Sequence, residues 1–166
     1  YGNLAAVCGL QGDKDEMITY LKLAIKIKPD YPDAHNNLGY ALKEKGAINE
    51  AIACYEKAIK YNPRYSDAYY NLGLVHLEQQ NFNPAIDCFK KAIDYKPTFA
   101  DAHNNLGICF NAKGNFQEAI NSFQQVLKFN PTSSQAHYNI GNTQKEKGDI
   151  DSAINSYKKA LKLNSK

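Results

Sequence analysis

No apolar run in the 166 residues approaches the roughly 18–20 consecutive positions that a membrane-crossing helix requires, and mean hydropathy is −0.56. The opening segment YGNLAAVCGLQGDKDE has neither the basic start nor the small-residue cleavage pattern of a secretory signal. No block of like charge occurs. The 20 Lys and Arg are interleaved with 17 Asp and Glu, a net charge of +3 that gives no concentrated basic stripe of the kind phosphate backbones select. Close cysteine pairs are missing as well. Cys8, Cys54, Cys88 and Cys109 lie too far apart for a zinc or redox motif and read as reduced, semi-buried thiols. The one Asn-x-Thr triplet, Asn130-Pro131-Thr132, is closed to glycosylation by its proline. A soluble protein of the cytoplasm or nucleus is expected, without nucleic-acid, membrane, metal or cofactor binding. With 43% hydrophobic and 22% charged residues, the chain is too mixed to remain disordered and can bury a core.

What the sequence does have is a period. Pro29, Pro63, Pro97 and Pro131 are each 34 residues apart. The same offset relates Gly39, Gly73, Gly107 and Gly141, then Ala51, Ala85, Ala119 and Ala153, then Tyr55, Phe89, Phe123 and Tyr157. The repeats run over 32–65, 66–99, 100–133 and 134–166, with an incomplete one at 1–31, all within a single array. Each reads as two helices. In the second repeat Ala34, Leu38, Ala41 and Leu42 form one apolar stripe, Gly46 supplies a stop, and Ile48, Ala51, Ile52, Tyr55, Ala58 and Ile59 form another before the proline. Gly39, Ala51 and Ala58 are small so that antiparallel helices can approach to about 8–10 Å. Tyr55 and its equivalents are expected to fill the space between successive helix pairs.

This combination of Leu-Gly, a small residue, an aromatic, a further Ala and a closing Pro resembles the tetratricopeptide repeat family over the whole chain. Three features depart from the family's pattern. The early aromatic of the first helix is Tyr1, His35, Tyr69, His103 or His137; Gln80 stands for the turn glycine; and Met17 and Val126 stand for small residues, which should splay their repeats slightly. The resemblance implies an all-α, right-handed superhelical solenoid of stacked antiparallel helix pairs. Its first helices would line a concave groove that holds peptides or extended segments of partner proteins.

Opposite the buried stripe of the first helix lie Asp33, Asn37, Tyr40 and Glu44, which should face that groove. One position of this face is invariant within the chain, since Asn3, Asn37, Asn71, Asn105 and Asn139 occupy it in all five repeats. Asn is a mediocre helix former, so stability alone does not select it. Its amide carries donors and an acceptor that match a peptide backbone. The row is similar to the asparagine ladder of protein O-GlcNAc transferases, a likeness sharpened by the words DAHNNLG at 33–39 and 101–107. On that likeness the asparagines would clamp a backbone, with Asp33, Asp67 and Asp101 adding acceptors or, equally, favourable charge at helix starts. Tyr40, Tyr70 and Tyr138 are candidate aromatic walls. Another group of the family grips C-terminal carboxylates through Lys and Arg, but here those places hold Asp and Asn.

No nucleophile elbow, phosphate-cradling loop or cysteine–histidine pair is present, so catalysis is not expected of this chain. His35, His103 and His137 recur a whole number of repeats apart, too far to converge on one ion, and are expected to pack between helices, as is His76. Lys57, Lys60, Lys90, Lys91, Lys158, Lys159 and Lys162 should be solvated on the second helices. The expected functions are an interaction module for extended segments, the substrate-selecting part of an O-GlcNAc-type transferase, or an assembly scaffold. The chain starts inside a helix and stops where a further turn is due, which suggests a piece of a longer array. Ile154, Tyr157 and Leu161 would then be partly exposed and available for end-to-end association.

Overall fold

The computed structural model describes Tyr1, Leu4 and residues 13–164. Among them are nine helices and no strands: α1 (Lys14–Ile27), α2 (Pro32–Glu44), α3 (Ile48–Tyr61), α4 (Ser66–Glu78), α5 (Phe82–Tyr95), α6 (Ala100–Ala112), α7 (Phe116–Phe129), α8 (Ser134–Glu146) and α9 (Ile150–Asn164). The chain forms two compact bodies, residues 1–75 and 76–166, and α4 spans the division.

In the first body α2 packs on α1 and on α3. The predicted stripe of α2 is its buried face, with Ala34, Leu38, Ala41 and Leu42 all inside, and Ala51, Tyr55 and Ala58 of α3 are fully buried against it. Gly39 explains the approach. A Cβ built on it would lie 2.7 Å from Cε1 of Tyr55, closer than real Cβ atoms stand, and a tight 3.1 Å from the carbonyl oxygen of Ala51. The ring therefore seats on the glycine of its own repeat instead of only spanning to the next helix pair. Two ion pairs join α1 to the end of α2: Lys14 to Glu44 at 3.1 Å, and Lys45 to Asp15.

The second body repeats these contacts. α6 packs on α5 and α7, and α8 packs on α7 and α9. Phe123 seats on Gly107, where a Cβ would come within 2.6 Å of its ring, and Tyr157 seats on Gly141 at 2.7 Å. Phe123 also meets Ile140 of the following repeat in one buried cluster with Ala119. It thus serves both the intra-repeat contact and the inter-repeat contact expected from the sequence. Val126 is buried in α7 although it replaces the small residue of its position. Lys113 reaches Asn83 in the register in which Lys45 reaches Asp15.

Among the described residues, each first helix ends the same way. The N–H three positions past the helix returns to a carbonyl five residues back: Ala47 to Leu42 at 2.9 Å, Asn81 to His76 at 2.8 Å, Asn115 to Phe110 at 2.9 Å and Asp149 to Gln144 at 2.8 Å. This closure demands a left-handed residue between them. Gly46, Gly114 and Gly148 supply it with φ of 78°, 75° and 90°, and Gln80 is forced into it at 59°. The second helices end at the residue before each proline-bearing turn, because proline lacks the N–H that would continue the helix.

Two outcomes check this account. Gln80→Gly relieves a left-handed strain of about 1–2 kcal/mol, partly offset by glycine's extra freedom in the unfolded chain, and should raise the urea midpoint by the equivalent of about 1 kcal/mol. Gly107→Ala should lower it by about 1–3 kcal/mol through overpacking against Phe123.

Candidate functional site

Helix periodicity puts the candidate residues opposite the buried stripe. Asp33, Asn37, Tyr40 and Glu44 are all exposed on α2. Of the asparagine row, Asn37 is exposed, Asn71, Asn105 and Asn139 are half-buried, and Asn3 lies outside the described residues. The half-burial has a specific cause in two of them. Asn71 donates from Nδ2 to Oδ1 of Asn36 at 3.0 Å, and Asn139 donates to Oδ1 of Asn104 at 2.9 Å. The partners are the residue just before the row position, one repeat earlier. Asn36 in turn faces Oδ1 of Asn37 at 3.4 Å, and Gln135 donates to Oδ1 of Asn139 at 3.0 Å. Each body thus contains a short chain of amide hydrogen bonds in place of isolated side chains.

Asn36 and Asn104 were not among the candidates, yet the signal was in the sequence. The row position is preceded by Asn in the repeats that read DAHNNLG and by Tyr in those that read Tyr-Asn at 70–71 and 138–139. An Asn-Asn repeat accepts the amide of the Tyr-Asn repeat after it, an alternation with a period of two repeats. Each donating amide keeps one N–H. It also keeps carbonyl capacity, since an amide oxygen has two lone pairs.

The acidic positions have unequal environments. Asp33 accepts a hydrogen bond from Oη of Tyr65 at 2.7 Å. Burial and this bond to Asp33 push the Tyr65 phenol well above the ordinary tyrosine range. Asp67 and Asp101 are exposed in the first turns of α4 and α6, where a carboxylate also complements the helix dipole. Tyr40 and Tyr138 are each 50% exposed, and Tyr70 is half-buried. Tyr138 leans on Tyr157 with ring centroids 5.7 Å apart, while the Tyr157 hydroxyl donates to Oδ1 of Asn142 at 2.8 Å.

Two cavities adjoin these groups in the second body. A cleft of about 400 Å³ between α6 and α8 is bordered by Ile108, Asn111, Asn139, Asn142 and Glu146. A larger hollow of about 830 Å³ lies on α8 and α9 beside Tyr138, Lys145, Tyr157 and Leu161.

The remaining reactive side chains are engaged in structure. His35 and His103 are buried, and their Nε2 atoms lie 2.8 and 2.9 Å from the carbonyl oxygens of Pro29 and Pro97, with the rings against Tyr61 and Phe129. Each histidine pins the preceding turn to the first helix. His137 is half-buried, and desolvation, then Lys159, lowers its pKa. Among the described residues no group of three or more His, Cys, Asp or Glu is placed to hold a metal, and no helix is long and apolar enough to cross a membrane. Burial raises the thiols of Cys88 and Cys109 to about 11 and also raises Cys54. A thiol so protonated is a poor nucleophile. Native-state alkylation by iodoacetamide at pH 8, followed by mass spectrometry, should modify Cys88 and Cys109 at least about tenfold more slowly than free cysteine. Rapid modification at that pH would contradict the burial.

Helix pairs of 34 residues, a glycine seated under an aromatic, and a proline-closed second helix define a class of repeat protein that recognises through surfaces. Family models confirm the class. The model described as "TPR repeat" matches residues 10–46 and 39–80, and the "Tetratricopeptide repeat" model matches 66–99, 100–133 and 134–166. The chain belongs to the tetratricopeptide repeat family. The matched repeats run unbroken from residue 10 to 166, so the chain contains no separate catalytic domain.

Solved structures agree on the fold. A crystal structure of MamA superposes with a TM-score of 0.91 at 27% identity, covering 99% of this chain and 96% of that one. MamA from Desulfovibrio magneticus RS-1, from its residue 41 to the end, gives 0.90 at 23% identity, covering 98% and 92%. YrrB, described as a TPR protein with an unusual peptide-binding site, gives 0.85 at 23% identity, covering 98% and 84%. No curated protein's sequence matches the chain.

Proposed function

We propose that this chain is a non-catalytic module that holds extended protein segments against the outward faces of its first helices, using the asparagine amides as backbone contacts. The observation that carries this reading is the unused half of the amides. Asn71 and Asn139 each spend one N–H on a neighbouring Asn and keep the other, with carbonyl capacity beside it. The bond to the neighbour also removes rotamer freedom before any ligand arrives, which lowers the entropic cost of binding. Asp33, Asp67 and Asp101 offer acceptors near the starts of the same helices, and Tyr40, Tyr70 and Tyr138 offer flat apolar surface.

Neutral hydrogen bonds contribute about 0.5–1.5 kcal/mol each, from which the ordering of a flexible segment is subtracted. The affinity for an arbitrary segment is therefore micromolar at best, which suits loose capture of many sequences. The peptide-binding site in the description of YrrB supports this direction. Two narrower readings use the same face. The DAHNNLG words favour a substrate-selecting region of an O-GlcNAc-type transferase, and an assembly scaffold would keep its partner in place permanently. End-to-end association through Ile154 and Leu161, 45% and 68% exposed, fits the scaffold reading.

Replacing Asn71, Asn105 and Asn139 together by Ala should weaken capture of a random decapeptide library by about tenfold to a hundredfold, with the far-ultraviolet circular dichroism unchanged. Undiminished capture by a folded triple variant would refute the amide contacts.

A further inference from the structure

We infer that the cleft between α6 and α8 is a side-chain pocket that selects a lysine in the bound segment; this rests on the reading of the face as a peptide site. Its lining is graded. Ile108, 37% exposed, and Ala112 border it as apolar surface along α6. Glu146, exposed in the last turn of α8, places a carboxylate at the same cleft. That carboxylate is held in place, because Nδ2 of Asn111 donates to its Oε2 at 2.7 Å across the two helices.

The orientation of Asn111 is fixed by the same bond. Turned over, its carbonyl would face the carboxylate and repel it; as it stands, Oδ1 is buried with no hydrogen-bond partner among the described residues. The amide thus spends its donor on Glu146 and leaves the second carboxylate oxygen, Oε1, for an incoming donor.

Among the described residues, no cationic side chain borders this cleft. The nearby Lys113 is directed to Asn83, and Lys145 borders the other hollow. A glutamate or aspartate in the segment would meet only acceptor charge at Glu146. A leucine would fill the apolar part and leave the carboxylate uncompensated. A lysine satisfies both halves, its methylene stem against Ile108 and Ala112 and its ammonium at Glu146. At about 400 Å³ the cleft admits one long side chain and does not hold a folded element. Asn139 borders it too, so the backbone contact and the side-chain contact would be made at one place.

The test uses positional-scanning decapeptide libraries in which one central position is fixed as lysine, norleucine or glutamate and the others are random, with affinity read by fluorescence polarisation on the whole chain. The lysine library should bind about fivefold more tightly than norleucine and more tightly still than glutamate, an advantage that shrinks between about 50 and 500 mM salt. Glu146→Gln keeps an acceptor for Asn111 and should abolish the lysine preference with little change in norleucine binding. Glu146→Lys should turn the preference toward glutamate. Equal binding of the three libraries by the parent chain would overturn the pocket and leave the peptide site standing, whereas no binding of any library would overturn both. Sedimentation of the parent chain and of Glu146→Gln at the same concentrations covers the other occupant. A dimer lost in the variant would assign the cleft to a lysine of a second copy and overturn the proposal.

Discussion

The contact between a glycine of the first helix and an aromatic ring of the second sets the rest of this structure. With the ring of Tyr55 on Gly39, of Phe123 on Gly107 and of Tyr157 on Gly141, there is no space for even one methyl group. The distance and rotation of the two helices are therefore determined by a single stacked pair. Rotation is the consequential variable. A helix turned by one residue moves about 100°, enough to carry Asn71 and Asn139 out of reach of Asn36 and Asn104 and to replace them with unrelated side chains. The ring, fully buried at Tyr55 and Phe123 and half-buried at Tyr157, is both part of the core of the repeat and the device that aims its opposite face.

That division of labour accounts for what was legible. Helix pairs and the buried stripe followed from the 34-residue period, because each depends on residue types at fixed offsets. The stop at Gly46 and its equivalents was equally direct, since a left-handed position is nearly a glycine signature. Gln80 could be named as a departure but not as a strained residue until the closure from Asn81 to His76 was visible. The role of the aromatics was only half seen. Phe123 reaches Ile140 of the next repeat as expected, but its closest contact is the glycine of its own, a distinction that periodicity cannot make because both partners recur at the same interval.

The candidate site shows the same limit from the other side. Asn at one register of all five repeats was plain, and with it the face it occupies. Its pairing was not, because a contact between the row position of one repeat and the preceding position of another is a relation between two different columns. Reading each column separately hides it. The alternation of Asn-Asn with Tyr-Asn carried that information, and a search at twice the basic period would have exposed Asn36 and Asn104. Asp33 was read as a groove acceptor or, equally, as favourable charge at a helix start, and its bond from Tyr65 became visible only in three dimensions, since Tyr65 sits in the turn before α4, where its equivalents in the other turns are Tyr31, Phe99 and Ser133.

Amides hydrogen-bonded to one another across repeats mark this face, and in the proposed mode of binding they are preorganised for a bound segment. The most direct measurement of that claim follows the side-chain amide proton pairs of Asn71 and Asn139 by nuclear magnetic resonance during titration with a random decapeptide library. The account predicts that one proton of each pair moves on binding while its partner, bonded to Asn36 or Asn104, stays near its free position. Shifts confined to the lysine-bearing faces of α3, α5 and α9, with both amides unmoved, would contradict it.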